Sequence, residues 1–249
     1  MTDEQITLKK WIDESNYIVF FGGAGVSTES NIPDFRSIDG LYNQKYKYPP
    51  ETILSHSFFV QKPEEFYDFY RDKMIYTEAK PNKAHYALAE LEKQGKLKAV
   101  ITQNIDGLHQ AAGSKSVYEL HGTIMKNYCT RCGREYPLST IIESKGIPRC
   151  QVKDETGGVC NGIIKPKVAL YEEGLDDNVV SGAIKHIRNA DMLIIGGTSL
   201  TVYPAAGLIR YFSGRHIVLI NKAPTSSDSM ADLIIREPIG ETLGVIVCE

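Results

Sequence analysis

Residues 17–37 read YIVFFGGAGVSTESNIPDFRS, an apolar run that breaks into glycines and then into polar residues. Tyr17 to Phe21 are β-branched or aromatic, the composition of a strand buried on both faces of a parallel sheet. Gly22, Gly23 and Gly25 let the backbone turn sharply and approach a ligand. Val26 to Ser30 then predict the start of a helix, whose free amides and positive dipole end suit a pyrophosphate. The run fits the dinucleotide-binding fingerprint only in part, because Gly23-x-Gly25-x-x-Thr28 carries threonine where a third glycine is expected. An ordinary strand-to-helix turn therefore stays open beside a nucleotide site. Pro33-Asp34-Phe35-Arg36 follows within the same loop, too early for the acidic residue that usually binds ribose about 20 residues on. A dinucleotide held here need not lie as it does in dehydrogenases.

Working outward, other apolar runs also end in polar groups. Lys98 to Thr102 predicts a strand that delivers Gln103-Asn104-Ile105-Asp106, three hydrogen-bonding side chains that are costly to bury without partners. Val117 to Leu120 delivers His121-Gly122, Asp191 to Ile195 delivers Gly196-Gly197-Thr198-Ser199, and His216 to Ile220 delivers Asn221-Lys222. Open parallel sheets place ligands at such carboxyl ends. His121 alone among the six histidines ends a strand beside a glycine, and a neutral imidazole suits proton abstraction. His56, His85, His109, His186 and His216 lie in helix or loop contexts that suit capping, packing or solvent.

Helices are expected over residues 3–15, with Ile6, Leu8, Trp11 and Ile12 on one apolar face, over 84–93 ending at Gly95, and over 176–188. Between the first and second strands, 37–50 is rich in Tyr, Gly, Asn and Pro, and 63–75 reads as a helix carrying Phe66, Tyr67, Phe69 and Tyr70. That aromatic stripe is either core or part of an excursion that closes over a ligand. Ile163 to Leu170 is extended and broken by Pro166, as suits an edge strand.

Five cysteines stand at 129, 132, 150, 160 and 248. Cys129-x-x-Cys132 with Cys150 and Cys160 supplies four thiolates, a closed shell that reads as one structural zinc. A redox pair would leave Cys150 and Cys160 unexplained, and Cys248 is expected to be a free thiol without a role. The 249 residues, 42% of them hydrophobic, suffice for one large domain with a small insert. A net charge of -3 argues against nucleic-acid binding. No apolar run approaches the roughly 20 residues of a membrane span, and no signal peptide precedes the first helix. A cytoplasmic monomer is the expectation.

GAGVSTESNIPDFR, TQNIDGLH, ELHG, the four clustered cysteines, GTSL and Asn221 together resemble, in order and spacing, the sirtuin family, as in a prokaryotic member. The resemblance covers essentially the whole chain. It implies an α/β fold, a Rossmann-type parallel sheet with a small second domain made of a zinc ribbon and a helical module. The large domain would take 1–36, 82–126 and 163–249, the helical and cofactor-loop module 37–81, and the zinc ribbon 127–162. It also implies an NAD-dependent protein lysine deacetylase acting on acetylated lysine in protein substrates and releasing nicotinamide and O-acetyl-ADP-ribose. Ala24, Thr28, Phe35 and Arg36 would line the cofactor loop. Gln103 would bond the nicotinamide-side ribose, and Asn104, Ile105 and Asp106 would hold the carboxamide. Thr198, Ser199, Asn221 and Ile239 would meet the adenosine half, His121 would be the general base with Asn104 beside it in catalysis, and Cys129, Cys132, Cys150 and Cys160 would hold Zn2+.

The chain departs from the family pattern in two places. Where many relatives read N-[IV]-V-x-F-G-E in the segment that pairs with the peptide, residues 167–173 read KVALYEE. Relatives that remove succinyl groups carry Tyr-x-x-Arg, whereas Tyr67 is followed at that spacing by Tyr70, with Arg71 one position late; small uncharged acyl groups are therefore expected. Two alternatives stay open: a broader or longer-chain deacylase, and a protein ADP-ribosyltransferase on the same fold.

Overall fold

Thr2 begins the first helix, α1 (Asp3–Glu14), through a reciprocal cap in which its hydroxyl accepts from the Gln5 amide and the Gln5 side chain accepts from the Thr2 amide. Leu8 and Ile12, one turn apart, face inward. Ile6, expected on that face, is exposed, since two residues before Leu8 corresponds to more than half a turn; buried Gln5 takes the inner position and its amide donates to Glu237 at 2.7 Å. Trp11 stacks on His216 with ring centroids 3.9 Å apart.

The computed structural model describes residues 1–35, 40–41, 46–153 and 157–248. β1 (Ile18–Gly22) is buried along its whole length. The α-helix expected after it does not form: Ala24–Val26 and Thr28–Ser30 are two 3-10 turns, ended by Asn31 in the left-handed conformation (φ 61°). The carbonyls a longer helix would use are taken by side chains, Gly25 O by the Thr28 hydroxyl and Val26 O by the Asn82 amide. α2 (Pro50–Ile53), α3 (His56–Gln61) and α4 (Pro63–Lys73) follow. Then come α5 (Lys83–Lys93), β2 (Leu97–Thr102), α6 (Leu108–Ala111) and β3 (Val117–Glu119). The chain continues through β4 (Gly122–Cys129), β5 (Glu135–Pro137), α7 (Leu138–Glu143) and β6 (Ile164–Val168), and finishes with α8 (Asp177–Asn189), β7 (Met192–Gly196), β8 (His216–Ile220), β9 (Leu233–Ile235) and α9 (Ile239–Cys248).

The six strands β3-β2-β1-β7-β8-β9 form one parallel sheet. β1 is central, and the strand order reverses beside it, which opens a crevice at the carboxyl ends of β1 and β7. Leu88 and Leu91 of α5 and Leu243 of α9 cover one face; Ala183 and Ile187 of α8 and the 3-10 segment Ala205–Tyr211 cover the other. β9 and α9 were not anticipated from sequence: one has three residues, and the other carries Gly240 and Gly244 inside a helix.

A second, antiparallel sheet has the order β5-β4-β6, so β6 with its Pro166 is an edge, as expected. Its core joins Ile124, Ile164 and Val168 to Phe66, Tyr67, Phe69 and Tyr70 of α4, which makes the aromatic stripe structural. Tyr67 donates its hydroxyl to Ile164 O at 2.6 Å, and Arg71 bonds Ile141 O, the Ser144 hydroxyl and Gly146 O. The helical module is thereby fastened to the cysteine-bearing ribbon.

Candidate active site

The crevice holds a cavity of about 700 Å³, within the range of ligand pockets. Ala24, Thr28 and Phe35 line it from the glycine loop, Gln103, Asn104, Ile105 and Asp106 from the end of β2, and His121 from the end of β3. Thr198, Ser199, Asn221 and Ile239 line it from β7, β8 and the start of α9. Arg36 lies outside the described residues.

The two glycine-rich strand ends hold one another. Gly23 N donates to Gly196 O at 3.3 Å and Gly25 N to Gly197 O at 2.7 Å. A methyl group added at Gly25 would stand 2.8 Å from Gly197 Cα, and one at Gly23 would stand 2.8 Å from Thr198 Cβ. These glycines are therefore required by contact between the loops as well as by room for a ligand. Thr198 ties the second loop to β2, because its hydroxyl accepts from the Gln103 side chain at 3.0 Å and from Leu200 N at 3.2 Å. Asn221 turns its amide onto Ala223 O, and Ser199, exposed at the rim, bonds the Thr201 hydroxyl.

At the centre stands Ser27, which the sequence reading does not single out; its only signal is its place within the quoted run. It is 1% exposed, donates to Asp106 Oδ2 at 2.7 Å and accepts from Asn104 Nδ2 at 3.0 Å. The other Asp106 oxygen accepts from Leu108 N at 2.9 Å, and the backbone N–H of Asn104 donates to the Thr102 hydroxyl at 3.0 Å. The amide and the carboxylate of this motif are thus oriented by a single hydroxyl from the facing loop.

His121 places Nδ1 2.9 Å from Gln103 O. A carbonyl can only accept, so Nδ1 carries the proton and Nε2 keeps its lone pair. Desolvation holds the imidazole below the ordinary histidine pKa, opposed in part by this hydrogen bond, so the ring is a neutral base at neutral pH. Its position is fixed on the following residue too: Ala169 N donates to His121 O, and Gly122 is left-handed (φ 76°) against the Lys167 carbonyl. The other histidines are occupied elsewhere. His85 completes the cap of α5, His109 packs on it, His186 lies between the Tyr17 and Tyr118 hydroxyls, and His56 bonds Glu173.

Residues 168–173 form one wall of the cavity. Tyr171 is bridged to Leu54 and His56 of the helical module, and Glu173 accepts from Leu170 N, Lys165 Nζ and His56 Nδ1. Glu172, where the family pattern has glycine, keeps a left-handed backbone (φ 75°), with its carboxylate on Ser57.

The four sulfurs of Cys129, Cys132, Cys150 and Cys160 lie within 4.8 Å of one another, with Cys129–Cys160 at 3.6 Å and Cys132–Cys150 at 3.7 Å. Tetrahedral thiolates about 2.3 Å from zinc are about 3.8 Å apart, so the set fits the ion. The Arg131 and Cys132 amides point at Cys129 Sγ, and the Tyr136 hydroxyl at Cys150 Sγ, as thiolates require. None of the four lines the cavity.

A profile of the Sir2 family matches residues 23–204. An NAD-dependent protein deacetylase of Clostridium acetobutylicum is 58% identical over 250 residues, covering 99% of both chains. Its namesake in Clostridium perfringens is 59% identical over 99% of this chain and 100% of its own. A solved Sir2 structure with deacetylated p53 peptide and 3'-O-acetyl-ADP-ribose superposes with a TM-score of 0.85 at 39% identity, covering 96% and 95% of the two chains. A Sir2–p53 peptide–NAD+ complex gives 0.83 at 37%, covering 99% and 97%.

Proposed function

The chain belongs to the Sir2 family and is an NAD-dependent protein lysine deacetylase; from that premise we propose how its own residues divide the work. NAD, when bound, supplies an anomeric carbon that accepts the acyl oxygen as nicotinamide departs. The wall formed by Gly23, Ala24, Thr28, Thr198, Ser199, Asn221 and Ile239 binds the dinucleotide, with Phe35 shielding the reacting face from water; a cofactor role for Arg36 rests on the sequence motif alone. Asn104, Ile105 and Asp106 grip the nicotinamide carboxamide, and Ser27 positions the amide and carboxylate that do so. Gln103 aligns the neighbouring ribose. His121 Nε2 takes the proton from a ribose hydroxyl as that hydroxyl attacks the acyl carbon.

The acetylated lysine of a protein substrate enters along residues 168–173. Cys129, Cys132, Cys150 and Cys160 hold one structural zinc, away from the chemistry. Residues 1–36, 82–126 and 163–249 act as the NAD-binding domain, with 37–81 and 127–162 as the small domain. The enzyme works as a cytoplasmic monomer; among the described residues, no helix is long and apolar enough to cross a membrane.

The observation that carries this reading is the His121 tautomer: a neutral base whose lone pair is free, in the same cavity as the interlocked glycine loops. Pure protein mixed with an acetylated peptide and NAD is expected to release nicotinamide and deacetylated peptide in equal amounts, and His121→Ala to lose both. Deacetylation without NAD, or covalent ADP-ribose on the target with its acetyl group retained, would overturn it.

A further inference from the structure

Among the described residues, the non-glycine residues with a left-handed backbone are Asn31, Asn161, Glu172 and Leu200. Asparagine tolerates that conformation, and Leu200 is held by the core around it. Glu172 (φ 75°) is exposed, so packing does not explain why a residue with a Cβ keeps a conformation that suits the glycine of the family pattern. Such strain persists where neighbouring bonds over-determine it. Just before Glu172, the Tyr171 amide donates to Leu54 O at 3.0 Å and its carbonyl accepts from His56 N at 2.9 Å, which seats it beside Ser55 in a short parallel bridge. Just after it, Glu173 N closes a turn onto Leu170 O at 3.0 Å.

From that fixed backbone the Glu172 carboxylate reaches α3, where Oε2 accepts from Ser57 N at 2.9 Å and from the Ser57 hydroxyl at 2.7 Å. Ser57 N belongs to the first turn, whose amides a helix leaves without acceptors of its own. These two bonds hold the carboxyl below its ordinary pKa, so it is an ionised acceptor at neutral pH. Glu173, which the family pattern shares, serves its own strand through Lys165 Nζ and Leu170 N as well as the His56 ring. Glu172 is this chain's own addition.

The segment so tied is the wall at residues 168–173, along which the acylated lysine enters. One end of the wall is fixed on the base, since Ala169 N donates to His121 O at 2.9 Å. The other end stands where α3 holds it. Resting on the deacylase reading above, we infer that Glu172 is a positioning residue for the peptide substrate: its carboxylate locks the far end of the wall to Ser57, so the wall is set for an extended peptide before the peptide arrives. Preorganisation of this kind strengthens peptide binding and leaves the chemical step alone, because His121 and the cofactor loops are fixed by other bonds.

Steady-state kinetics of the full chain with an acetyl-lysine peptide and NAD separate this from a merely structural role. Glu172→Ala and Glu172→Gly are each expected to raise the peptide KM about five- to tenfold, the effect of losing hydrogen bonds to a charged group at the surface, with kcat and the NAD KM within about twofold of wild type. Glycine relieves the left-handed backbone and alanine does not, so Glu172→Gly is expected to melt at the higher temperature of the two and yet to bind peptide no better. Glu172→Gln, whose carbonyl can accept both Ser57 bonds, is expected to keep the peptide KM within about twofold. Ser57→Ala is expected to add nothing to Glu172→Ala in the double variant. With neither substrate present, exchange of the Ser57 amide hydrogen is expected to quicken about tenfold in Glu172→Ala. A peptide KM that follows melting temperature across the variants, a loss of kcat or NAD affinity as large as the loss of peptide affinity, a Gln variant as impaired as the Ala variant, or unaltered exchange at Ser57 would each overturn the assignment. An active Glu172→Ala enzyme with unchanged peptide KM sinks the positioning role alone. Wild-type protein that processes no acyl peptide with NAD sinks the deacylase reading, and this inference with it.

Discussion

Gly122, the residue after the proposed base, is where β4 packs tightest against β6 beside the chemistry, and its replacement by alanine gives a sharp expectation. The added methyl would stand 3.0 Å from the Lys167 carbonyl carbon and 3.1 Å from Val168 Cα, and inside contact distance of the Lys167 oxygen. All three are backbone atoms, so no side chain can swing away and β6 must part from β4. Two costs combine: about 1–2 kcal/mol for a Cβ on a left-handed backbone, and about 1–3 kcal/mol for forced overpacking. Gly95→Ala isolates the first cost, because Gly95 is also left-handed (φ 73°) yet an added methyl there meets nothing within 4 Å. Urea unfolding is therefore expected to show a loss of about 1–2 kcal/mol for Gly95→Ala and about 2–5 kcal/mol for Gly122→Ala. Because His121 would move with its neighbour by something on the order of 1 Å, kcat/KM should fall about 100-fold in Gly122→Ala and stay near wild type in Gly95→Ala. Equal stabilities for the two variants, or normal catalysis in Gly122→Ala, would refute the close approach of β4 and β6 as the device that fixes the histidine.

Ser27→Ala deprives Asp106 and Asn104 of their shared partner, and its kcat/KM is expected to drop by 10- to 100-fold with the fold retained by circular dichroism; undiminished turnover would count against the positioning role. Burial depresses His85 to about 4 and His109 to about 3, so the unfolded chain binds protons from pH 6.5 downward while the folded chain does not. Stability is then full above pH 6.5 and lost as pH falls toward 4, by about 3 kcal/mol for His85 alone, and His109→Phe should flatten this acid limb in denaturant titrations at several pH values. kcat/KM should also decline on the acid side, with a midpoint below 6.5, as His121 becomes protonated. Metal analysis should find one zinc per chain, and chelation should lower the melting temperature. Arg71→Gln, which loses charged hydrogen bonds to the ribbon, should cost about 2–3 kcal/mol and hasten zinc loss to a chelator.

Much of this molecule was legible because its chemistry sits at strand ends, where an apolar run must stop and a polar group must find a use. Gln103 to Asp106, His121 and Gly197 to Ser199 announce themselves in that way, and four cysteines at knuckle-like spacing announce a metal. Ser27 was hidden because one serine in a polar loop looks like any other until Asp106 and Asn104, 79 and 77 residues away, are brought against it. The 3-10 turns after β1 were hidden for a similar reason: local pattern favours a helix, and the amide of Asn82 that takes the Val26 carbonyl comes from the start of α5. Ile6 was misplaced because apolar character was allowed to override angular position, and Gln5 showed that a polar side chain with a carboxylate partner can take the inner face.

The pairing of β1 with β7 has a consequence for how the protein is made. The Tyr17 amide bonds an Asp191 carboxylate 174 residues downstream, and Ile18 lies beside Met192 in the sheet. A ribosome adding about 5–20 residues per second needs roughly 10–35 s to bridge that distance. Throughout that interval the nascent chain carries a central strand with at least one edge bare, and for most of it Val19 and Phe21 await the helix that covers them. Such an intermediate exposes a strand edge and apolar surface of the kind that aggregates. It is also catalytically silent, because the glycine loop gains its opposing wall only when Gly197 arrives, so the capacity to consume NAD is acquired in a single late event.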